Sequence, residues 1–156
     1  MSRDEKDELE SVRVMCLEAR GLFEQLMDVS IPQLQQDPLK MQGACLYASV
    51  LLLKLLSKFA AAQVRVMGGS AELEQGCKDP QGVWRGHYWV QGATRGGAEF
   101  LADITADQFG WPAVVVAEPF DEAWSRYRAG DHQEVQEAAW ALEQELQAYA
   151  KPPSSR

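Results

Sequence analysis

Residues 83–105 read VWRGHYWVQGATRGGAEFLADIT, and the fold turns on this stretch. Val83 to Gln91 is aromatic and β-branched, a composition suited to a pleated, half-buried surface, so a strand is expected there. Gly96-Gly97 marks a turn, and Ala98 to Ile104 is expected to form the next strand. A glycine-rich link this short joins antiparallel neighbours. The first strand carries His87 and the second carries Asp103. Neighbouring antiparallel strands hold two such side chains side by side. An imidazole that moves protons needs a carboxylate or amide to fix its tautomer, and Asp103 is placed to supply one.

Toward the N-terminus, Gly43-Ala44-Cys45 leads into Leu46 to Phe59, where Leu51, Leu52, Leu53, Leu55 and Leu56 follow in near succession. A helix apolar nearly all round is a central one. Cys45 is expected at its N-terminal end. A thiol attacks only as the thiolate, and both a helix N-terminus and a nearby imidazolium favour that form. Cys45, His87 and Asp103 therefore make a candidate catalytic set of nucleophile, proton carrier and orienting carboxylate. Each also has a plainer reading, as a buried thiol, a structural histidine and a strand-ending aspartate.

Order and spacing join the three. The chain has a cysteine opening a buried helix, then His87-Tyr88-Trp89-Val90, then Asp103-Ile104-Thr105. Separations are 42 residues from Cys45 to His87 and 16 from His87 to Asp103. Roughly Gln42 to Gly110 resembles the transglutaminase-like core, a branch of the papain-like cysteine enzymes. In that family the histidine strand often reads His-Ala-Trp-Val and the aspartate strand Asp-Pro-Thr. The resemblance implies an α+β papain-like/transglutaminase-like core. A central helix carrying the cysteine would pack on an antiparallel sheet, with flanking N- and C-terminal helices. It also implies a glutamine side chain upstream of the cysteine as an oxyanion donor, for which Gln42 is the candidate, beside the backbone N–H of Cys45. Trp89 shares the strand parity of His87 and is expected to wall the site. Two departures are Ala44, where the family usually has an aromatic residue, and the run Asp103-Ile104-Thr105-Ala106-Asp107-Gln108-Phe109-Gly110, whose Gln108 and Phe109 mark a variant form.

The implied chemistry is acyl transfer from an amide. Hydrolysis would make the protein a cysteine protease, amidase or glutamine deamidase acting on a peptide or protein amide; an amine acceptor would give a cross-link. An interaction protein that kept the fold and lost the activity is the alternative from another class, and an arylamine acetyltransferase-like enzyme ranks below both. No metal or organic cofactor is implied.

The remaining elements frame this core. Asp4 to Met27 reads as a helix, with Val12, Met15, Ala19, Leu22, Phe23 and Leu26 as its apolar stripe and Cys16 beside it as a small buried hydrophobe. Pro32 and Pro38 frame a polar loop. Gln63 to Met67 is expected to be a strand, Gly76 to Gly82 a loop containing Cys77, and Ala113 to Ala117 a further strand. Asp131, with Glu134 three residues on, caps a C-terminal helix striped by Val135, Ala139, Leu142, Leu146 and Tyr149. With no repeat and no linker, residues 1–150 are expected to be a single domain and residues 151–156 a flexible tail.

Composition narrows the classes. The chain has 156 residues, 46% of them hydrophobic, which suits a packed core. A formal net charge of -8 argues against nucleic acid as partner. Lys54 and Lys58 interrupt the most apolar run, so no membrane span is expected. The charged start MSRDEKDELE has no secretory pattern, and a soluble, cytoplasmic protein is the expectation. Three cysteines without close pairs fit neither a disulfide framework nor a zinc site. Oligomeric state is not legible in the sequence.

Overall fold

The computed structural model describes residues 3–27, 38–60 and 63–150. Its elements run α1 (Arg3–Met27), α2 (Pro38–Phe59), β1 (Gln63–Gly69), β2 (Gly76–Lys78), β3 (Trp84–Arg85), β4 (His87–Ala93), β5 (Glu99–Asp103), β6 (Val115–Ala117), β7 (Tyr127–Arg128) and α3 (His132–Ala150). Short 3-10 turns occupy Ala71–Leu73, Ala106–Phe109 and Glu122–Arg126. The architecture is α+β, and its strand pairs are antiparallel. The polar loop expected after Pro32 and the tail at 151–156 lie outside the described residues.

One sheet has the order β1-β4-β5-β6, and a smaller one has the order β3-β2-β7. Strand parity divides the larger sheet's side chains between two cores. Val90, Phe100 and Ala102 meet Val12, Cys16, Ala19 and Phe23 of α1 and Ala48, Leu52 and Leu56 of α2. Trp89, Leu101, Val115 and Ala117 face the other way, toward Cys77 of β2 and Tyr127 of β7. Helix α3 packs Val135 and Ala139 against Val66 of β1 and Val50 of α2. Asp131 Oδ1 accepts the N–H of Glu134 at 3.1 Å, the expected cap of this helix.

Four readings of the sequence are corrected. Helix α2 begins at Pro38, so Cys45 lies in its third turn and not at its start. Proline suits the first position of a helix, and Pro38 opens this one rather than only bounding a loop. The expected strand Val83 to Gln91 is two strands in two sheets, with Gly86 between them carrying the chain across. The loop around Cys77 contains β2, the middle strand of the smaller sheet. The buried stripe of α1 is Leu9, Val12, Cys16, Ala19 and Phe23, rotated away from Leu22 and Leu26, which are exposed. Cys16 thus sits in the stripe's centre.

A buried arginine ties α1 to the turn that follows β5. Arg20 Nη1 donates to the Ile104 carbonyl at 2.7 Å and to Asp107 Oδ1 at 2.8 Å, and Nη2 donates to Asp107 Oδ2 at 2.8 Å. The planar fork of arginine matches a carboxylate in this bidentate way. Among the described residues no helix is long and apolar enough to cross a membrane. We expect Arg20→Ala to cost about 2–3 kcal/mol in urea unfolding, because it strands a charge-accepting carboxylate and a buried carbonyl. Arg20→Lys should recover only part of this, since an ammonium cannot make the fork.

Candidate active site

The larger sheet ends where β4 begins, and there the chain assembles its buried polar groups. His87, the first residue of β4, pairs with Gly69, the last of β1. Asp103 closes β5 on the same face as Trp89 and Leu101. A diagonal step across the two strands brings His87 Nε2 within 2.7 Å of Asp103 Oδ2, with both side chains buried.

Asp103 is saturated with donors. Oδ2 also accepts the Tyr127 hydroxyl at 2.7 Å, while Oδ1 accepts the Thr105 backbone N–H at 2.9 Å and the Thr105 hydroxyl at 3.3 Å. A carboxylate surrounded in this way is ionised and can only accept. Burial, the largest effect, raises its pKa, but His87, Thr105 and Tyr127 together outweigh it and hold Asp103 below its ordinary value. Tyr127 moves the opposite way, well above its ordinary value, through burial and the Asp103 charge.

The proton on Nε2 is therefore fixed by Asp103, leaving Nδ1 as the nitrogen that exchanges. Burial is again the largest influence on His87, and it opposes protonation. The charge and hydrogen bond of Asp103, joined by the hydrogen bond and charge of Cys45, win, and the pKa rises to about 10. Aromatic rings clamp the imidazole. Phe109 meets it edge-on at 4.9 Å between centroids, and Trp89 lies nearly parallel at 6.1 Å.

A cleft of about 940 Å³ opens over this group. Cys45, His87 and Gln108 lie at its base, with Gly68, Gly69 and Tyr88 from the sheet. The start of α3 supplies Asp131, Glu134 and Val135, and the Ala71–Leu73 turn lies across from it. Cys45, His87 and Asp103 are thus brought together as a buried set beneath one opening. The cleft's paired charges are Asp79 and Arg85, in contact at 3.2 Å.

Trp89, expected to wall the site, is placed otherwise. Trp89 is 1% exposed, does not line the cleft and donates Nε1–H to Gln91 Oε1 at 2.9 Å. It backs the imidazole and has no surface for a substrate. Gln42 belongs to α2, but its side chain lies outside the described residues. The backbone N–H of Cys45 falls inside a helix, where such groups bond the carbonyl four residues earlier, so it is no oxyanion donor.

Tyr127 and Gln108 are the partners that the sequence reading left without a role. Gln108 Nε2 lies 3.1 Å from His87 Nδ1. The sequence carried a signal for Gln108, in the unusual run after Asp103. It gave Tyr127 none, because that residue reaches Asp103 only through the pairing of β7 with β2. Among the described residues no group of His, Cys, Asp and Glu could hold a metal ion. Comparison with protein-family models, with curated proteins and with solved structures found no match.

The sign of the Asp103 contribution to stability follows from its lowered pKa. The stabilisation is present above the ordinary value of 3.8 and is lost as pH falls through the lowered folded value. His87, raised from 6.5, contributes fully below 6.5 and loses its share as pH rises toward about 10. We expect Asp103→Asn to be less stable than the parent by about 2–3 kcal/mol at pH near 6, the worth of charge-assisted hydrogen bonds. Urea unfolding across the acid range should show that gap closing below pH 3.8.

Proposed function

We propose that this chain is a thiol acyl-transfer enzyme of the papain-like or transglutaminase-like type, hydrolysing the amide of a peptide or protein. The observation that carries the reading is His87, which joins the buried, ionised Asp103 to Cys45 beneath an open cleft. Asp103 fixes the ring through Nε2, and Nδ1 takes the proton from the Cys45 sulfur.

The step balances as follows. The sulfur attacks the amide carbonyl carbon, a C–S bond forms, and the carbonyl electron pair moves onto oxygen. Collapse of this intermediate breaks the C–N bond, and the proton on Nδ1 goes to the departing amine. Water then gives a proton to Nδ1 while its oxygen bonds to the carbonyl carbon. The C–S bond breaks, the proton returns to sulfur and the acid leaves. An amine in the place of water would give a cross-link by the same steps. Asp103 orients the ring and stabilises the imidazolium throughout without itself taking a proton.

The non-catalytic alternative draws on one observation. Cys45 sits in the third turn of α2, without the helix-start N–H groups that favour thiolate and oxyanion in related chemistry. Here His87 must supply the activation of the sulfur.

The other two thiols provide an internal control. Burial, with the Asp103 charge adding to it, pushes both Cys16 and Cys77 up to about 12. Iodoacetamide at neutral pH should therefore modify Cys45 alone, and peptide mapping by mass spectrometry reads the site. We expect His87→Ala to slow that reaction at mildly acidic pH by at least about tenfold, and Asp103→Asn to slow it in the same direction. Cys45→Ala should abolish turnover of any amide substrate and leave folding intact. Equal labelling of the three cysteines, or full turnover by Cys45→Ala, would remove Cys45 as the nucleophile.

A further inference from the structure

The cleft over Cys45 carries an excess of negative charge. Besides Cys45 and His87, its charged lining residues are Asp79, Arg85, Asp131 and Glu134. The first two cancel: Arg85 Nε donates to Asp79 Oδ2 at 3.2 Å, and Asp79 Oδ1 accepts the N–H groups of Gln81 and Val83 at 3.0 and 2.9 Å. Asp131 and Glu134 remain, and among the described residues neither forms an ion pair.

Helix α3 sets these two carboxylates on one wall. Asp131, which caps the helix, lines the cleft with Glu134, Val135 and Ala138, and steps of three and four residues place neighbours on one side of a helix. The wall is acidic at the start of α3 and apolar beyond it. Val135 also packs with Tyr88, the residue after His87. Burial, then the charges of Cys45 and Glu134, push the Tyr88 hydroxyl up, so one side chain feels both the thiol and the acidic wall.

We propose that the cleft selects a peptide amide flanked by a lysine or arginine side chain, its cationic head against Asp131 and Glu134 and its aliphatic stem along Val135 and Ala138. The proposal rests on the thiol acyl-transfer reading and names the substrate class of that same site.

Lysine and arginine lay an apolar stem on apolar surface while the charged head stays in polar surroundings. The α3 wall offers those two surfaces side by side. A cleft lined by one sign of charge concentrates the opposite sign and turns away its own, so an acidic flanking side chain is excluded. The formal net charge of -8 acts in the same direction over the whole chain. Salt screens that long-range field beyond about 8 Å at physiological ionic strength, which leaves the discrimination to the cleft's own carboxylates.

The test uses three thiol reagents that share one chemistry and differ in charge: the aminoethyl, sulfonatoethyl and methyl esters of methanethiosulfonic acid. Rates at Cys45 of the full chain are measured at physiological salt, with peptide mapping to read the site and N-acetylcysteinamide as the free-thiol reference. The ratio of cationic to anionic rates should exceed that of the reference by about tenfold. It should fall to the reference ratio in Asp131→Asn/Glu134→Gln, in which asparagine still caps the helix. Glu137→Gln/Glu145→Gln removes two charges from the same helix outside the cleft and should leave the ratio as in the parent. A merely structural role of Asp131 and Glu134 would not move the ratio, and thermal melting checks that each variant is folded. A parent ratio equal to the reference, or a ratio unmoved in the folded Asp131→Asn/Glu134→Gln variant, overturns the substrate assignment and leaves the reactivity of Cys45 toward the neutral methyl reagent untouched. A parent whose Cys45 meets that neutral reagent as an ordinary thiol overturns the acyl-transfer reading, and the substrate assignment falls with it.

Discussion

The contact between His87 Nε2 and Asp103 Oδ2 is the constraint around which the rest of the structure is arranged. Two groups that favour opposite charges lie out of water, and such a pair is stable only where further hydrogen bonds satisfy it. Asp103 meets that condition with three elements: β4 brings His87, β7 brings Tyr127, and the residues just after β5 bring Thr105. The smaller sheet is therefore part of the site, because Tyr127 reaches Asp103 from one of its outer strands. No buried side-chain nitrogen or oxygen among the described residues lacks a partner.

Positional precision comes from α1, although none of its residues touches the cleft. Arg20 holds the Ile104 carbonyl and the Asp107 carboxylate, thereby fixing both ends of the segment that carries Thr105. Thr105 bonds Asp103, and Gln108, one residue beyond Asp107, meets His87. The N-terminal helix thus acts on the imidazole through a short run of hydrogen bonds. Trp89 and Phe109 hold the ring from two sides, which limits it to one orientation.

The strands bearing His87 and Asp103 were legible because their alternation and the Gly96-Gly97 turn are local signals. The pairing of the two residues followed from the same register. The start of α2 was not legible. Gly43 imitates a helix boundary, and Pro38 reads equally as a breaker or as a first helical residue. The break at Gly86 was hidden because Trp84 and Arg85 continue the β-prone composition while joining another sheet. Tyr127 had no sequence signal, since a two-residue strand gives no period and its role exists only in three dimensions. The burial of Trp89 shows the limit of parity: sharing a face with His87 placed it behind the ring, in the core, and away from the cleft.

The central claim is that His87 turns Cys45 into a thiolate. Ultraviolet thiolate absorbance followed against pH, as the difference between the parent and Cys45→Ala, measures this directly because Cys16 and Cys77 are common to both proteins. The account expects thiolate absorbance from Cys45 at mildly acidic pH in the parent, and its loss in His87→Ala. A parent without that absorbance, or absorbance left unchanged by His87→Ala, would contradict it.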